Sequence, residues 1–298
     1  MKVLDGGTAT EICRQGFDIE VRAIRCGQPE FYTLNQLFLK MFTKEAGSEL
    51  VVTASYQASV DGFKKHLGVS EDEALSLLKK SVHLAKEARS EAGKGPSEVL
   101  VAASVGPYGA ILCDGSEYSG QYVDKLSIEE LRDWHRPRMA ALIEAGADIL
   151  AIETIPAQKE ATAILLALAD FPSTRAYVTF SCKDGEHTCY GDKFSLAVSS
   201  VCSNSQVIAV GLNCTPPQYV TSLLRQIPDV QKDIIVKPNS GEIWEEAHWK
   251  GKRDSEFPLI EYIPDWLSSG ATWIGGCCRI FPYDIVSLKK CLSEYSAG

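Results

Sequence analysis

"AGADILAIETIP" (Ala145–Pro156) carries the pattern that decides the fold of this chain. Gly146 stands just before a mainly apolar run, and the run ends in the polar residues Glu153 and Thr154. Continuous runs of this kind are typical of strands buried on both faces, as in parallel sheets. The glycine fits the end of a preceding helix. The same order returns in "AGSELVVTASYQ" (Ala46–Gln57) and "SGATWIGGCC" (Ser269–Cys278).

Eight such runs are spread along the chain, and segments long enough for helices separate several of them. The runs are "KVLDGG", "ELVVTASYQ", "VLVAASVGP", "DILAIETIP", "AYVTFSC", "QVIAVGLNC", "DIIVKPNSG" and "TWIGGCC". Ser70 with Glu73, and Ser127 with Glu130, have the spacing of capping boxes that begin helices. Pro137 is expected to kink or interrupt the second of these helices.

This order predicts an α/β fold, a (β/α)8 TIM barrel, with residues 1–298 as one domain. The alternative is a doubly wound open sheet. No G-x-G-x-x-G pattern opens a helix after the first run, so a dinucleotide site lacks support.

Composition limits the classes of partner. The 298 residues include 30 Lys and Arg against 39 Asp and Glu, a formal charge of −9, which argues against a nucleic-acid surface. No run approaches about 18 apolar residues, and the first residues do not resemble a secretory signal. We therefore expect no membrane partner and a cytoplasmic, reduced protein, in which clustered cysteines favour metal binding or catalysis over disulfides.

The carboxyl ends of barrel strands carry the chemistry in this fold, and three cysteines fall there. Cys214 ends the sixth run, and Cys277 and Cys278 end the eighth. Three thiolates suit Zn²⁺ and leave a fourth position for a substrate. Two alternatives stay open: a redox couple of the neighbouring pair, and cysteines that merely fill the core. All five histidines lie in expected helices or loops, which argues against a histidine metal site.

Two carboxylates join the cysteines at the strand ends. Asp5 ends the first run and Glu153 the fourth. Together they could bind an ammonium group or act as an acid–base pair, and the residues alone do not separate these roles. Lys237 and Trp244, near the seventh run, could contact a second substrate or be structural.

Seven motifs, in this order, resemble those of the zinc-dependent homocysteine S-methyltransferase family. They are "DGGTATE", "TASYQASVDGF", "SVGPYGAILCDGSEYSGQY", "ETIP", "GLNC", "KPNSGE" and "GGCCR". The resemblance covers nearly the whole chain and implies the same barrel. It implies zinc ligands at Cys214, Cys277 and Cys278, and a nucleophile that is the substrate's own thiolate, with no separate protein base.

The resemblance also implies a homocysteine pocket. It assigns substrate binding to Asp5, Gly6, Gly7, Thr8, Ser55, Tyr56, Gln57, Glu153 and Asn213. The two carboxylates would hold the amino group, and the backbone of residues 6–8 would receive the carboxylate. Tyr56 is expected to approach the zinc when substrate is absent.

The implied reaction is methyl transfer from a sulfonium donor to homocysteine, giving methionine. The motifs are most similar to members that use S-methylmethionine, with S-adenosylmethionine next and a betaine-type donor as the alternative. Ile280 and Phe281 depart from the family pattern, in which a threonine is usual after "GGCCR".

Overall fold

The predicted strands form a closed parallel sheet in the computed structural model, which describes residues 1–7, 39–245, 248–250 and 259–297. The strands in these ranges are β1 (Lys2–Val3), β2 (Leu50–Val52), β3 (Leu100–Val105), β4 (Ile149–Ile155), β5 (Ala176–Phe180), β6 (Val207–Asn213), β7 (Asp233–Lys237), β8 (Ile243–Glu245), β9 (His248–Lys250) and β10 (Trp273–Ile274). Strands β8 and β9 form a separate antiparallel hairpin. The other eight follow the order β1-β10-β7-β6-β5-β4-β3-β2, and a parallel bridge between Leu4 and Leu50 joins the two edges.

Helices alternate with these strands. They are α1 (Val60–Leu67), α2 (Glu71–Glu91), α3 (Ile128–Glu144), α4 (Gln158–Leu168), α5 (Phe194–Cys202), α6 (Pro217–Leu224), α7 (Ile263–Ser268) and α8 (Pro282–Ala297), with a π-helical turn at Met41–Glu45. The predicted (β/α)8 TIM barrel is therefore confirmed. The doubly wound open sheet is wrong, because the first and last strands of the barrel pair with each other.

Local sequence signals set the helix ends as expected. Ser70 and Ser127 each accept a hydrogen bond from the backbone of the glutamate three residues later, and both capping boxes are complete. Gly146, which precedes β4, has a φ of +80°, the left-handed conformation that glycine adopts without strain.

Pro137 does not interrupt α3, which continues to Glu144. That part of the prediction was wrong. Leu131 and Leu142, on either side of the proline, are completely buried. Burial of this face offsets the roughly 3 kcal/mol that an interior proline costs a helix.

The core has two layers, one inside the barrel and one between the strands and the helices. Within the barrel, Tyr177 and Trp273 meet edge to face with ring centroids 6.5 Å apart. No helix in the described ranges combines the length and the apolar character needed to cross a bilayer.

Candidate metal and substrate site

Cys214, Cys277 and Cys278 meet at one end of the barrel, with sulfur atoms all within 4.8 Å of one another. The last residue of β7 and the residue after it lie between them and fix their backbones. The backbone N–H of Cys214 donates to Lys237 O (3.1 Å), and that of Cys277 donates to Pro238 O (2.8 Å). The predicted convergence of these cysteines thus results from the neighbouring positions of β6, β7 and β10.

Gly275 and Gly276 allow the two neighbouring cysteines to approach the rest of the site. A Cβ atom on Gly275 would lie 2.7 Å from the carbonyl oxygen of Asp5, and one on Gly276 would overlap the Ile280 side chain. No other residue type fits at these positions without movement of the backbone.

The sulfur cluster has the donor set that Zn²⁺ prefers, three cysteine sulfurs. The three sulfur atoms lie within 4.8 Å of one another, so one ion could reach all of them once they are thiolates. Cys214 is 8% exposed and the other two are half-buried, so the site opens towards solvent. An open position for a fourth ligand is typical of catalytic zinc sites.

In the structure, Cys214 and Cys277 are joined by a disulfide bond that links positions 63 residues apart. The bond joins the ends of two different barrel strands. The redox alternative expected a bond between the neighbouring Cys277 and Cys278, which is a different pair. Metal binding needs thiolates, so the disulfide and the metal-binding form exclude each other.

Asp5 is completely buried, and both of its carboxylate oxygens already have partners in the protein. Oδ2 accepts the backbone N–H of Val52 at 2.7 Å. Oδ1 accepts from Nζ of Lys237 at 2.8 Å, a buried ion pair. Asp5 therefore closes the junction between β1 and β2 as well as contributing negative charge to the site.

Glu153 is the second carboxylate, and its charge is less fully compensated. Its Oε1 accepts from the hydroxyl of Ser104 at 2.5 Å. Burial raises the pKa of Glu153, and Asp5 raises it further, although Lys237 and Ser104 act in the opposite direction. Burial alone would lower the pKa of Lys237, but Asp5 and Glu153 outweigh it and raise that pKa. Asp5 and Glu153 share the one ammonium group of Lys237, so acidic side chains outnumber basic ones around this group.

Asn213 links Thr154, the residue after Glu153, to the sulfur cluster. Its side chain accepts from the backbone N–H of Thr154 and donates to the Thr154 hydroxyl, both at 2.7 Å. The same amide nitrogen is 4.0 Å from the sulfur of Cys277. Thr154 has a φ of +60°, rare for a residue with a branched Cβ. Asn213 thus stabilises the strained turn after Glu153.

The predicted Ser55–Gln57 segment lies at the same end of the barrel. The buried Ser55 hydroxyl donates to Ser104 O at 2.7 Å, and Gln57 Nε2 donates to Ala110 O at 3.2 Å. The Tyr56 ring covers Gly106 so closely that a Cβ there would lie 2.6 Å from it. Its hydroxyl oxygen is buried and meets no hydrogen-bond partner in the described residues. Burial raises the pKa of Tyr56, with added effects from the charges of Glu117, Glu153 and Cys278, while the nearby Thr154 side chain, beyond hydrogen-bond geometry, acts in the opposite direction.

The glycines after β1 are only partly available to a substrate. The backbone N–H of Gly7 donates to Ile280 O at 2.8 Å. A Cβ on Gly6 would lie 2.5 Å from that same oxygen. The predicted contact of residues 6–8 with a substrate carboxylate stays a prediction, and at Gly7 it would require the N–H to leave Ile280 O. Thr8 lies outside the described residues.

Two basic residues at this site were not assigned from the sequence. Lys237 pairs with Asp5, which supports the structural reading over contact with a second substrate. Arg138 of α3 is 1% exposed and donates to three carbonyl oxygens, those of Gly106 (3.0 Å), Ser55 (3.1 Å) and Tyr56 (3.1 Å). Its sequence context, within an amphipathic helix, gives no sign of this role.

The family model for homocysteine S-methyltransferase matches residues 2–292. The chain belongs to the homocysteine S-methyltransferase family. A relative named homocysteine S-methyltransferase YbgG, from Bacillus subtilis (strain 168), is 42% identical over 95% of this chain and 91% of its own. A relative named betaine-homocysteine S-methyltransferase, from Drosophila melanogaster, is 38% identical over 82% of this chain and 79% of its own.

A solved member of the family has the same fold. The homocysteine methyltransferase MmuM from Escherichia coli, in a metallated form, superposes with a TM-score of 0.83 and 35% identity, covering 97% of this chain and 96% of its own. The oxidized form of the same protein superposes with a TM-score of 0.85. The family resemblance seen in the sequence motifs is confirmed.

Proposed function

We propose that this enzyme transfers a methyl group from a sulfonium donor to the thiolate of L-homocysteine, producing methionine, with Zn²⁺ held by Cys214, Cys277 and Cys278. The observation that carries the proposal is the position of three grouped sulfurs beside a negatively charged pocket. Asn213 contacts both the Cys277 sulfur and the turn that follows Glu153. The sulfur and the ammonium group of one small amino acid could therefore be held together.

Zn²⁺ bound to these cysteines would supply deprotonation of the substrate thiol, whose free pKa is near 8.5. The protein residues then orient the amino acid. Glu153 binds the ammonium group, while the ion pair of Asp5 with Lys237 fixes the neighbouring charges. No general base is needed, because the thiol would already be deprotonated.

In the transfer itself, the homocysteine thiolate forms a bond to the methyl carbon. The bond between that carbon and the donor sulfur breaks, and its electron pair stays on the donor sulfur, which becomes a neutral thioether. No proton is transferred in this step. The main task of the protein is alignment of the two sulfurs with the methyl group, a contribution that can be large when geometry is fixed.

The proposal also ranks the possible methyl donors. S-methylmethionine is our first choice and S-adenosylmethionine the second. The relative named betaine-homocysteine S-methyltransferase motivates a betaine-type donor as the alternative.

A donor panel tests the function. Reduced protein loaded with zinc is supplied with homocysteine and each of the three donors, and methionine is measured. We expect most product with S-methylmethionine. Best turnover with betaine would refute the donor assignment, and no methionine with any donor would refute the proposed function.

A further inference from the structure

The loop after β3 forms a fixed wall at the open end of the barrel. Both ends of the loop are anchored on Glu160 of α4, which is completely buried. The backbone N–H of Tyr108 donates to Glu160 Oε1 at 2.6 Å, and the Tyr122 hydroxyl donates to Oε2. The 3₁₀ turn Ser116–Tyr118, in the middle of the loop, is thereby held in place.

Glu117, at the centre of this turn, has a carboxylate oxygen that lacks a partner. Its backbone nitrogen lies against Gly109, where a Cβ would be 2.7 Å away, and its carbonyl accepts from the Ser181 hydroxyl at 3.5 Å. Oε2 is buried and makes no hydrogen bond with any described residue. A buried carboxylate oxygen without a partner is costly, so the arrangement points to a ligand that supplies positive charge.

The turn with Glu117 lies beside Tyr56 and the sulfur cluster. The Ser181 hydroxyl that donates to Glu117 O is also 3.5 Å from Thr154 O, and the Thr154 side chain is bonded to Asn213, whose amide nitrogen is 4.0 Å from the Cys277 sulfur. The Tyr56 ring covers Gly106, three residues before the glycine that Glu117 packs against. The Tyr56 hydroxyl, like Glu117 Oε2, is buried and makes no hydrogen bond with a described residue.

This combination suits a cation that cannot donate hydrogen bonds. A sulfonium group has no N–H to offer, so it is held by charge and by aromatic faces rather than by directional bonds. Glu153, in contrast, lies with Ser104 and Lys237 in a pocket of hydrogen-bonding groups suited to an ammonium group.

We propose that Glu117, together with Tyr56, binds the positively charged sulfonium group of the methyl donor. This inference rests on the proposed function and adds donor-binding residues to it. When the methyl group leaves, the donor sulfur loses its charge, and with it the attraction to Glu117. The site thus favours the charged donor over both neutral thioether products.

The test compares Glu117→Gln with Asp114→Asn in the zinc-loaded protein. Asp114 lies in the same loop, is exposed, and accepts the Ser116 N–H at 2.9 Å, a bond that asparagine can keep. The ligands are S-methylmethionine and its uncharged carbon isostere, 2-amino-5-methylhexanoic acid. Dissociation constants from calorimetry are measured alongside the KM values of donor and homocysteine.

For Glu117→Gln we expect roughly tenfold weaker binding of S-methylmethionine and a matching rise in its KM, about the effect of one lost charge contact. Binding of the carbon isostere, the homocysteine KM and the zinc content should stay within about twofold of wild type. Asp114→Asn should resemble wild type throughout.

Unchanged S-methylmethionine binding, or equal weakening of the charged and uncharged ligands, would overturn the inference. So would a wild-type protein that does not bind S-methylmethionine at all. The inference can fail while wild-type protein still makes methionine, whereas failure of the proposed function shows as no methionine with any donor. The two failures are therefore distinguishable, because calorimetry does not depend on turnover.

Discussion

Single side chains at this site have separable tasks, since they come from four different strands of the barrel. The cysteines offer sulfur, Glu153 offers charge, and Asp5 combines charge with closure of the barrel. Substitutions at these positions should consequently change different measured quantities.

Cys278→Ser should remove tightly bound zinc. Serine lacks the thiolate that zinc prefers, so the metal content of reduced protein should fall from about one ion per chain to well below half. Cys291→Ser, on α8, is the matched control and should keep its metal. Metal analysis after dialysis decides, and full zinc retention by Cys278→Ser would contradict the assigned ligand set.

Protonation of Glu153 should weaken homocysteine binding at low pH. Because its pKa is raised by burial, the carboxylate becomes neutral at a higher pH than an ordinary glutamate. Homocysteine affinity should then fall as pH decreases through that raised pKa. Glu153→Gln should raise the homocysteine KM roughly tenfold or more and flatten this part of the pH profile.

The same raised pKa has a consequence for stability. A carboxyl group with a higher pKa in the folded state costs stability once the pH rises above its unfolded pKa. Glu153→Gln should therefore be no less stable than wild type at neutral pH in urea unfolding. Strong destabilisation would show that Glu153 is primarily structural.

At the scale of elements, α3 reaches into the site through Arg138. The helix brings a buried guanidinium to the carbonyls that end β3 and precede α1. Burial lowers its pKa to about 10, with Glu160 and Tyr56 acting in the opposite direction, so the group remains charged at neutral pH.

Arg138→Met should uncouple α3 from the Ser55–Tyr56 segment. Three carbonyl groups would lose the guanidinium as a donor, although Ser55 O would keep the backbone N–H of Ala58, and we expect a loss of about 3 kcal/mol of unfolding free energy. As Arg138 contacts the backbone of Tyr56, the donor KM should rise as well.

Ser127→Ala is the comparison for this helix. It removes the capping hydrogen bond and should cost about 1 kcal/mol without a change in KM. Equal kinetics for the two variants, once corrected for the folded fraction, would rule out a positioning role for Arg138.

At the scale of the whole molecule, the barrel closes where residues far apart in sequence meet. Gly6 lies against the Ile280 carbonyl, and the Gly7 N–H donates to the same oxygen. Ile280 and Phe281, which depart from the family pattern, are both buried and support this contact.

Gly6→Ala should therefore weaken closure. Its Cβ would meet a backbone oxygen that cannot move aside, so we expect a loss of about 2 kcal/mol or more in urea unfolding. Gly95→Ala is the control, because the nearest atom to its Cβ would be 3.9 Å away. Equal stability of the two variants would contradict the proposed role of this contact.

The sequence predicted the barrel well because its buried strands, glycine helix ends and capping boxes are all local signals. Pro137 was misjudged, since tertiary packing of α3 outweighs a local preference. Lys237 and Arg138 could not be assigned, as their partners are distant in sequence and depend on which strands become neighbours. The spacing of Cys214 and Cys277 gave no direct evidence of contact, and only the barrel order brings them together.

The sequence positions of the three cysteines determine when the sulfur cluster can form during synthesis of the chain. Cys214 follows β6, and Cys277 and Cys278 follow β10, the last barrel strand in the sequence. A growing chain therefore carries only one of the three sulfurs until this strand has been synthesised. If the three cysteines bind zinc as proposed, a chain that stops before the end of β10 lacks two of the three ligands, and only chains extended past this strand can hold the metal.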